Sequence, residues 1–309
     1  MHKKILFVVL MITLVGCTIG RGSTSKIKDI EIRTGTEGLY MELMKKSVPD
    51  IVYEDELVPV SILLQNKGAS DITNGYLILG LEDTMELEEG DGKQAIRLKG
   101  RSIGNPVGDK ENYNFYLRIL DMSPQTEIMT SSIKLVAEYP YQTKAYANVC
   151  IDTDPYDELT TKGIKKACSA KDVSLSGGQG APISVVKIVP YMKLGDKEVI
   201  RPYFDIYIKN VGGGDLISYY DKLDELTVQA SLAEEPLDCN IMDEETQGNE
   251  EDYAEEVNIQ KQKKIRCYST LDIAKTIPSY VSLLEVTLDY WYSQSISKNV
   301  QIKTTSTTI

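Results

Sequence analysis

The sequence predicts an all-β chain made of two tandem antiparallel β-sandwiches. Three observations carry this prediction: short segments in which apolar and polar residues alternate, glycine-containing turn signals between them, and an internal repeat that matches the first part of the chain to the second. Alternation with a period of two places every second side chain on one face of a strand, which is typical of sheets that bury one face.

The first internal match joins residues 60–72, VSILLQNKGASDI, to residues 204–216, FDIYIKNVGGGDL. In both segments an apolar alternation is followed by asparagine, glycine and aspartate at the same places, with an offset of 144 residues. Val60, Ile62 and Leu64 fall on one face of the predicted strand. The Asn-x-Gly sequence then predicts a turn, because glycine adopts positive φ without steric cost.

The second match joins residues 131–142, SSIKLVAEYPYQ, to residues 282–293, SLLEVTLDYWYS, with an offset of 151. Two matches in the same order indicate a duplicated unit of about 120 residues, with a short insertion in the second copy. Both segments end in Tyr-x-Tyr, and we expect these four tyrosines to pack in the core or at a sheet edge. Trp291 falls on the opposite face, where we expect partial exposure.

Shorter strand-like runs lie between these segments, at residues 76–80, 95–98, 113–120, 226–232 and 264–268. About seven strands in each copy predict a sandwich of the Ig-like kind. A helical turn is expected at residues 216–226 and 270–277. The predicted organisation is a first sandwich at 27–151, a linker at 152–181, a second sandwich at 182–303 and a polar tail at 304–309.

The first 16 residues have the pattern of a signal peptide: a basic head, His2-Lys3-Lys4, and an apolar core from Ile5 to Gly16 that is too short to span a bilayer. Leu14-Val15-Gly16-Cys17 resembles a lipobox, the processing site of prokaryotic lipoproteins. The resemblance implies cleavage before Cys17 and lipid on its sulfur, and residues 17–26 then form a flexible tether. The alternatives are an ordinary secretory signal with an incidental cysteine, or an uncleaved anchor.

The chain is acidic, with a formal net charge of −12 that becomes −14 once Lys3 and Lys4 are removed with the signal. We therefore expect no nucleic-acid partner, because phosphate binding needs clustered lysine and arginine. The expected membrane contact runs through the lipid on Cys17 instead. The single histidine is His2, inside the signal, which excludes histidine-dependent catalysis by the processed chain.

The four cysteines that remain after Cys17 are an even number, which favours disulfides in an exported protein. Three pairings exist, and we favour Cys150–Cys168 and Cys239–Cys267 because each pair is local in sequence and lies in a separate half. The competing hypothesis, a metal site, is weaker because no two cysteines have C-x₂₋₄-C spacing.

Two acidic segments are the remaining site hypotheses. Four acidic residues lie close together at the predicted domain boundary: Asp152, Asp154, Asp157 and Glu158. An acidic surface turn is the favoured interpretation, and a calcium site is the weaker alternative, because the Gly and terminal Glu of an EF-hand loop are missing. The run DEETQGNEEDYAEE at 243–256 predicts a solvated loop, with cation binding or partner docking as its alternative. No cofactor is expected beyond this calcium hypothesis.

The stretch LQNKGASDITNGYLILGL, with IKNVGGGDLI as a weaker copy, resembles the secreted Ig-like modules grouped as CARDB or S-layer-associated domains. Together with the lipobox, the chain is similar to surface lipoproteins of archaea and some bacteria. This resemblance implies an extracytoplasmic, lipid-anchored, non-catalytic module for adhesion, envelope structure or complex assembly, whose partner is an unidentified surface protein or envelope component. It supplies no catalytic residue.

Two other classes of function stay open at the level of sequence. One is a lipoprotein that captures a ligand for a transporter, which usually needs a cleft between α/β lobes. The other is an extracellular hydrolase that uses a pair of carboxylates drawn from two loops.

Overall fold

The structure, a computed structural model, describes residues 32–45, 47–123, 125–195, 199–218, 226–242, 262–276 and 278–305. Every secondary-structure element assigned within these ranges is a β-strand, which confirms the predicted all-β class. In chain order the strands are β1 (Leu39–Leu43), β2 (Ile51–Tyr53), β3 (Leu57–Asn66), β4 (Ile72–Leu81), β5 (Met85–Leu87), β6 (Lys93–Leu98), β7 (Lys110–Ile119), β8 (Ile128–Asp152), β9 (Val173–Ser174), β10 (Ile183–Leu194), β11 (Val199–Asn210), β12 (Asp215–Ile217), β13 (Leu226–Leu232), β14 (Glu235–Met242), β15 (Lys263–Ser269), β16 (Ile273–Ala274) and β17 (Ser279–Lys303).

Across these ranges the structure contains no helix with the length and apolar character needed to span a bilayer.

The two longest strands, β8 and β17, pair with each other in antiparallel register over all 25 of their residues. At a rise near 3.4 Å per residue this ladder is about 80 Å long. Pro140 pairs with Trp291 at its midpoint, and these two residues are equivalent under the repeat offset of 151. A pseudo-twofold axis therefore passes through this pair, and the two halves of the chain lie on either side of it.

In the first half, β4 pairs with the beginning of β8, and β6 pairs with β4. A second antiparallel sheet has the strand order β1-β3-β7-β5. Inward side chains of both sheets join one hydrophobic core, among them Ile62 and Leu117 from the second sheet and Leu77 and Leu135 from the first. Two antiparallel layers with a shared core are the arrangement of a β-sandwich.

In the second half, the strands run in one continuous order, β17-β13-β14-β15-β11-β10-β9, because β14 and β15 pair with each other. Their counterparts in the first half, β6 and β7, belong to different sheets. Cys239 and Cys267 face each other directly across the added β14–β15 pairing. The disulfide-forming pair thus lies where the two halves differ in topology.

Each long strand contributes to both halves. The final part of β8 packs against β10, and its inward residues Ala147, Val149 and Ile151 are buried there. The end of β17 pairs with the beginning of β8 and with β2, and its residues Val300 and Ile302 are buried in the first half. The halves consequently exchange strand segments, so the chain between residues 152 and 181 is not their only connection.

The strand registers reproduce both repeat offsets. Pairing of β1 with β3 matches pairing of β10 with β11 at an offset of 144, as in Leu39↔Asn66 and Ile183↔Asn210. Pairing of β4 with β8 matches pairing of β13 with β17 at an offset of 151, as in Leu77↔Ala137 and Val228↔Leu288. Because β12 still follows the first offset and β13 follows the second, the seven extra residues of the second copy fall between Ile217 and Leu226.

The expectation of helical turns is wrong where the structure describes the chain. Ile273 and Ala274 form β16, because the start of β11 offers an edge with which they pair. Leu216 and Ile217 belong to β12, which pairs with β17; residues 219–225 lie outside the described residues.

Both cysteine pairs favoured by the sequence lie at disulfide distance. The sulfur atoms are 1.95 Å apart in Cys150–Cys168 and 2.05 Å apart in Cys239–Cys267. The first pair ties the end of β8 to the segment that leads into the second half.

Candidate functional site

Four buried tyrosines meet at the pseudo-twofold axis, where the two Tyr-x-Tyr sequences pair with each other. In the ladder, Tyr139 lies opposite Tyr292 and Tyr141 lies opposite Tyr290. Neighbouring ring centres are 5.7 to 6.4 Å apart, mostly in edge-to-face geometry, which is a favourable arrangement for aromatic pairs. We refer to these four residues as the tyrosine junction.

The tyrosine junction is hydrogen-bonded to the two Asn-x-Gly turns. The hydroxyl of Tyr141 donates to Oδ1 of Asn66 at 3.1 Å, and that of Tyr292 donates to Oδ1 of Asn210 at 3.0 Å. Each asparagine also accepts from the backbone amide two residues later, at 3.2 and 3.1 Å. The two sequence motifs that define the repeat are therefore parts of one structural unit that occurs twice.

The other two tyrosines hold the strands that begin each half. The backbone amide of Leu39 donates to the hydroxyl of Tyr139, and that of Ile183 donates to the hydroxyl of Tyr290, both at 3.4 Å. Burial raises the pKa of all four phenols in the junction above the usual value for tyrosine. Because these hydroxyls stay protonated and are engaged within the fold, the arrangement suits a structural role and not nucleophilic or base chemistry.

Trp291 lies on the opposite face of the ladder and is partly exposed, as the alternation predicts. Two other predicted sites, Cys17 and the acidic run 243–256, lie outside the described residues.

The predicted calcium ligands do not converge on one point. Among the described residues, no group of three or more acidic, histidine or cysteine side chains is placed to hold a metal ion. Nζ of Lys166 lies 2.9 Å from carboxylate oxygens of both Asp152 and Asp157, and Lys275 lies 3.8 Å from Glu158. The carboxylates are thus directed toward lysines.

Asp154, the fourth predicted ligand, is almost fully buried and organises the chain that follows it. Its Oδ2 accepts from the amides of Leu159 and Thr160 and from the Thr160 hydroxyl, each at 3.0 Å. Burial acts to raise the pKa of this carboxyl, but these donors outweigh burial and lower it. The carboxylate therefore fixes a local turn, and a count of acidic residues in the sequence could not distinguish this role from calcium binding.

Replacing Asp154 with alanine is expected to lower the free energy of unfolding by about 2 kcal/mol at neutral pH, because three hydrogen bonds to a buried carboxylate are lost. The contribution is fully present above the pKa of an unfolded aspartate, near 3.9, and is lost as the pH falls through the lower folded value. Urea denaturation at neutral and acidic pH measures both effects. Glu158→Ala is the control, because its side chain is 60% exposed and a change below about 0.5 kcal/mol is expected; equal losses in the two variants would refute the role of Asp154.

The outward face of β10, β11 and β15 carries a stack of three tyrosine rings. Tyr191, Tyr203 and Tyr268 lie side by side on adjacent strands, with ring centres 5.4 and 5.3 Å apart and interplanar angles of 24° and 19°. Each ring is partly exposed. This stack is separate from the tyrosine junction, since β11 alternates between inward residues such as Phe204 and outward residues such as Tyr203.

Cationic side chains surround the stack. Nζ of Lys193 lies 4.3 Å from the centre of the Tyr203 ring, and Arg266 makes two hydrogen bonds, at 2.8 and 3.0 Å, to the carboxylate of Asp205. We refer to this surface as the tyrosine–cation face, and its aromatic and cationic members are Lys187, Tyr191, Lys193, Arg201, Tyr203, Tyr207, Lys209, Lys264, Arg266 and Tyr268.

The tyrosine–cation face is not predictable from the inward residues of each alternation, because these residues define only the core. The signal is visible in residues 201–209, RPYFDIYIK, where every second residue is charged or aromatic. The outward residues of one strand do not show which strands are its neighbours. The stacking of tyrosines from three strands is therefore visible only in the structure, which gives the order of these strands in the sheet.

The fold and these surfaces define an all-β protein in which two pseudo-symmetric halves share a central ladder and the second half carries a stack of three tyrosines among cationic side chains. No protein-family model matches the chain, and no curated protein matches it.

Proposed function

We propose that the chain is a lipid-anchored extracytoplasmic protein with tandem Ig-like sandwiches that serves adhesion, envelope structure or complex assembly without catalysis. The observation that carries this proposal is the pair of cysteine bridges, because disulfides persist in oxidising compartments outside the cytoplasm. The lipobox-like sequence ending at Cys17 supplies the expected anchor.

The construction of the molecule supports a mechanical or presenting role. The two halves share one ladder and exchange strand segments. The buried hydroxyl of Thr143 in β8 donates to the carbonyl of Ile183 in β10, which adds a further link across this region. A molecule built in this way resists bending between its halves, which suits a surface element that holds a binding face in a fixed position.

The chain enters the fold beside the tyrosine junction. The amide of Gly35 donates to the carbonyl of Gly177 at 2.6 Å, and the amide of Gly180 donates back to Gly35 at 2.7 Å. The 17 residues between Cys17 and this point reach at most about 60 Å when extended. An anchor on Cys17 would therefore be joined to the described part of the chain beside the tyrosine junction, near the middle of the central ladder.

Anchoring is tested by expressing the full chain and a Cys17→Ser variant in a prokaryotic host supplied with labelled fatty acid. We expect label on the wild-type chain and its recovery with membranes, and neither in the variant. Thr18→Ser is the matched control and should behave as wild type. Labelling that survives the loss of Cys17, or a cytosolic chain with free thiols at the four other cysteines, would contradict the proposal.

A further inference from the structure

We propose that the tyrosine–cation face binds a carboxylated polysaccharide, such as a uronic-acid polymer of a cell envelope. This inference rests on the proposed extracytoplasmic function and specifies the class of ligand that the second half would hold.

The geometry of the ring stack favours an anionic ligand. Tyr203 has a neighbouring ring on each side, so the faces of its π-system, which carry partial negative charge, are covered. The stack instead presents ring edges, which carry partial positive charge, together with phenol groups that can donate hydrogen bonds. The central ring, Tyr203, is therefore not open to a sugar that stacks on a ring face, whereas carboxylates and hydroxyls find donors along the edges of the stack.

The charges on the tyrosine–cation face also complement an anionic ligand. Six cations belong to this face, and two acidic residues of the same sheet face, Asp205 and Asp238, oppose them. At the margins Lys187 pairs with Asp172 and Arg201 pairs with Asp272, but both acids are about half exposed. Exposed ion pairs contribute little free energy, so a polyanion can replace these partners. The positive balance is local, since the whole chain has a net charge of −12.

The shape of the face indicates a polymer. From Arg201 to Lys209 the outward residues of β11 extend over eight residues, which is about 27 Å at strand spacing. The neighbouring strands β10 and β15 widen this exposed surface on either side of β11. A ligand that contacts the whole face must be extended and must repeat its anionic group, as a polyuronate does.

The first half serves as an internal comparison. At an offset of 144, the positions of Arg201 and Tyr203 are occupied by Leu57 and Pro59. The register of β7 on β3 places Asn112 where the second half has Lys264. Both halves keep the same inward alternation, so the sandwich core does not require the aromatic and cationic residues of the second half.

Isothermal titration calorimetry of the full chain, with both disulfides formed, tests the inference with size-defined oligogalacturonates. We expect binding that weakens when salt is raised from about 50 to about 200 mM, as counterion release predicts. Fully methyl-esterified oligomers, which keep the backbone and lose the charge, should not bind.

The decisive variant is Lys193→Gln/Lys264→Gln, and its matched control is Lys110→Gln/Lys134→Gln. The control changes net charge equally at two exposed strand positions of the first half. We expect the first variant to bind about tenfold or more weakly, and the control to bind as wild type. Tyr203→Leu should also weaken binding with little change in melting temperature, because its ring is on the outward face.

Several outcomes overturn the inference: no binding of oligogalacturonate at low salt, equal weakening in both double variants, or equal binding of the methyl ester. Tighter binding of duplex DNA or of phosphatidylglycerol vesicles would assign the face to phosphate ligands instead. Binding that is seen only after the acids of residues 243–256 are changed to amides would identify that segment as the occupant. Fatty-acid labelling at Cys17 is read independently, so failure here leaves the anchoring proposal standing.

Discussion

Replacing Asn66 with alanine is expected to lower the free energy of unfolding by about 4 kcal/mol. The side chain is fully buried, and its amide donates to the carbonyls of Ser70 and Leu98 at 2.7 and 3.0 Å. Its oxygen accepts from Gly68 and Tyr141. In the alanine variant the carbonyls of Ser70 and Leu98 lose this buried donor. The Gly68 amide keeps the Gly38 carbonyl, and the Tyr141 hydroxyl keeps the Gly180 carbonyl. Two buried carbonyls are therefore left unsatisfied, and each costs about 1–3 kcal/mol.

The chain provides its own control in Asn210, which occupies the equivalent place in the second half. Asn210 donates to the carbonyl of Gly214 at 2.7 Å and is only partly buried, so water can replace some of its partners. We therefore expect Asn210→Ala to cost about 2 kcal/mol. Urea denaturation followed by circular dichroism measures both values. Equal losses of unfolding free energy in the two variants would show that burial does not determine how much each asparagine contributes. A small loss for Asn66→Ala would show that the turn does not hold the first half together.

The inward residues of the fold were predictable because the sequence alternates strictly. Ile62 and Leu64, for example, are predicted to face inward, and both are fully buried. The repeat was equally visible, since duplicated strands need the same alternation and the same turn residues. These are local signals that each segment carries on its own.

The pairing of strands from different halves was not predictable. The alternation of apolar and polar residues predicts which face of β8 is buried, but it does not predict which strand lies beside β8. The register of a strand pair depends on the sequences of both strands. The central ladder needs 25 residues of β8 to match 25 of β17, yet only the Tyr-x-Tyr segments stood out in the sequence. The pseudo-twofold relation between the two Tyr-x-Tyr segments is seen only in the structure, where Pro140 pairs with Trp291.

The candidate sites show the same limit. Sequence proximity identified the cysteine pairs correctly because both bridges are local in the fold. It did not show that Asp154 is buried and accepts three hydrogen bonds, since the donors that surround a carboxylate are set by the path of the backbone. The tyrosine–cation face needed the lateral order of three strands, which no single segment contains.

A steep loss of stability above pH 10 is the second large effect expected. Burial raises the pKa of Tyr139, Tyr141, Tyr290 and Tyr292 in the folded chain. An unfolded tyrosine loses its proton near pH 10, whereas these four keep theirs, so the unfolded state binds fewer protons above that pH. The stabilisation is fully present below pH 10 and is lost as the pH rises toward the folded values, by about 1.4 kcal/mol per tyrosine per pH unit.

Four such residues predict a loss of about 5 kcal/mol between pH 10 and 11 beyond the change caused by exposed groups. Urea denaturation across this range, with tyrosinate absorbance recorded in parallel, measures the slope. The double variant Tyr290→Phe/Tyr292→Phe should reduce the slope by about half, because phenylalanine keeps the ring and cannot ionise. Tyr116→Phe is the control, since the side chain of Tyr116 is 51% exposed. If wild type and the double variant lose stability at the same rate, the junction tyrosines do not resist ionisation, and the buried hydrogen-bonded cluster cannot be what couples the two halves.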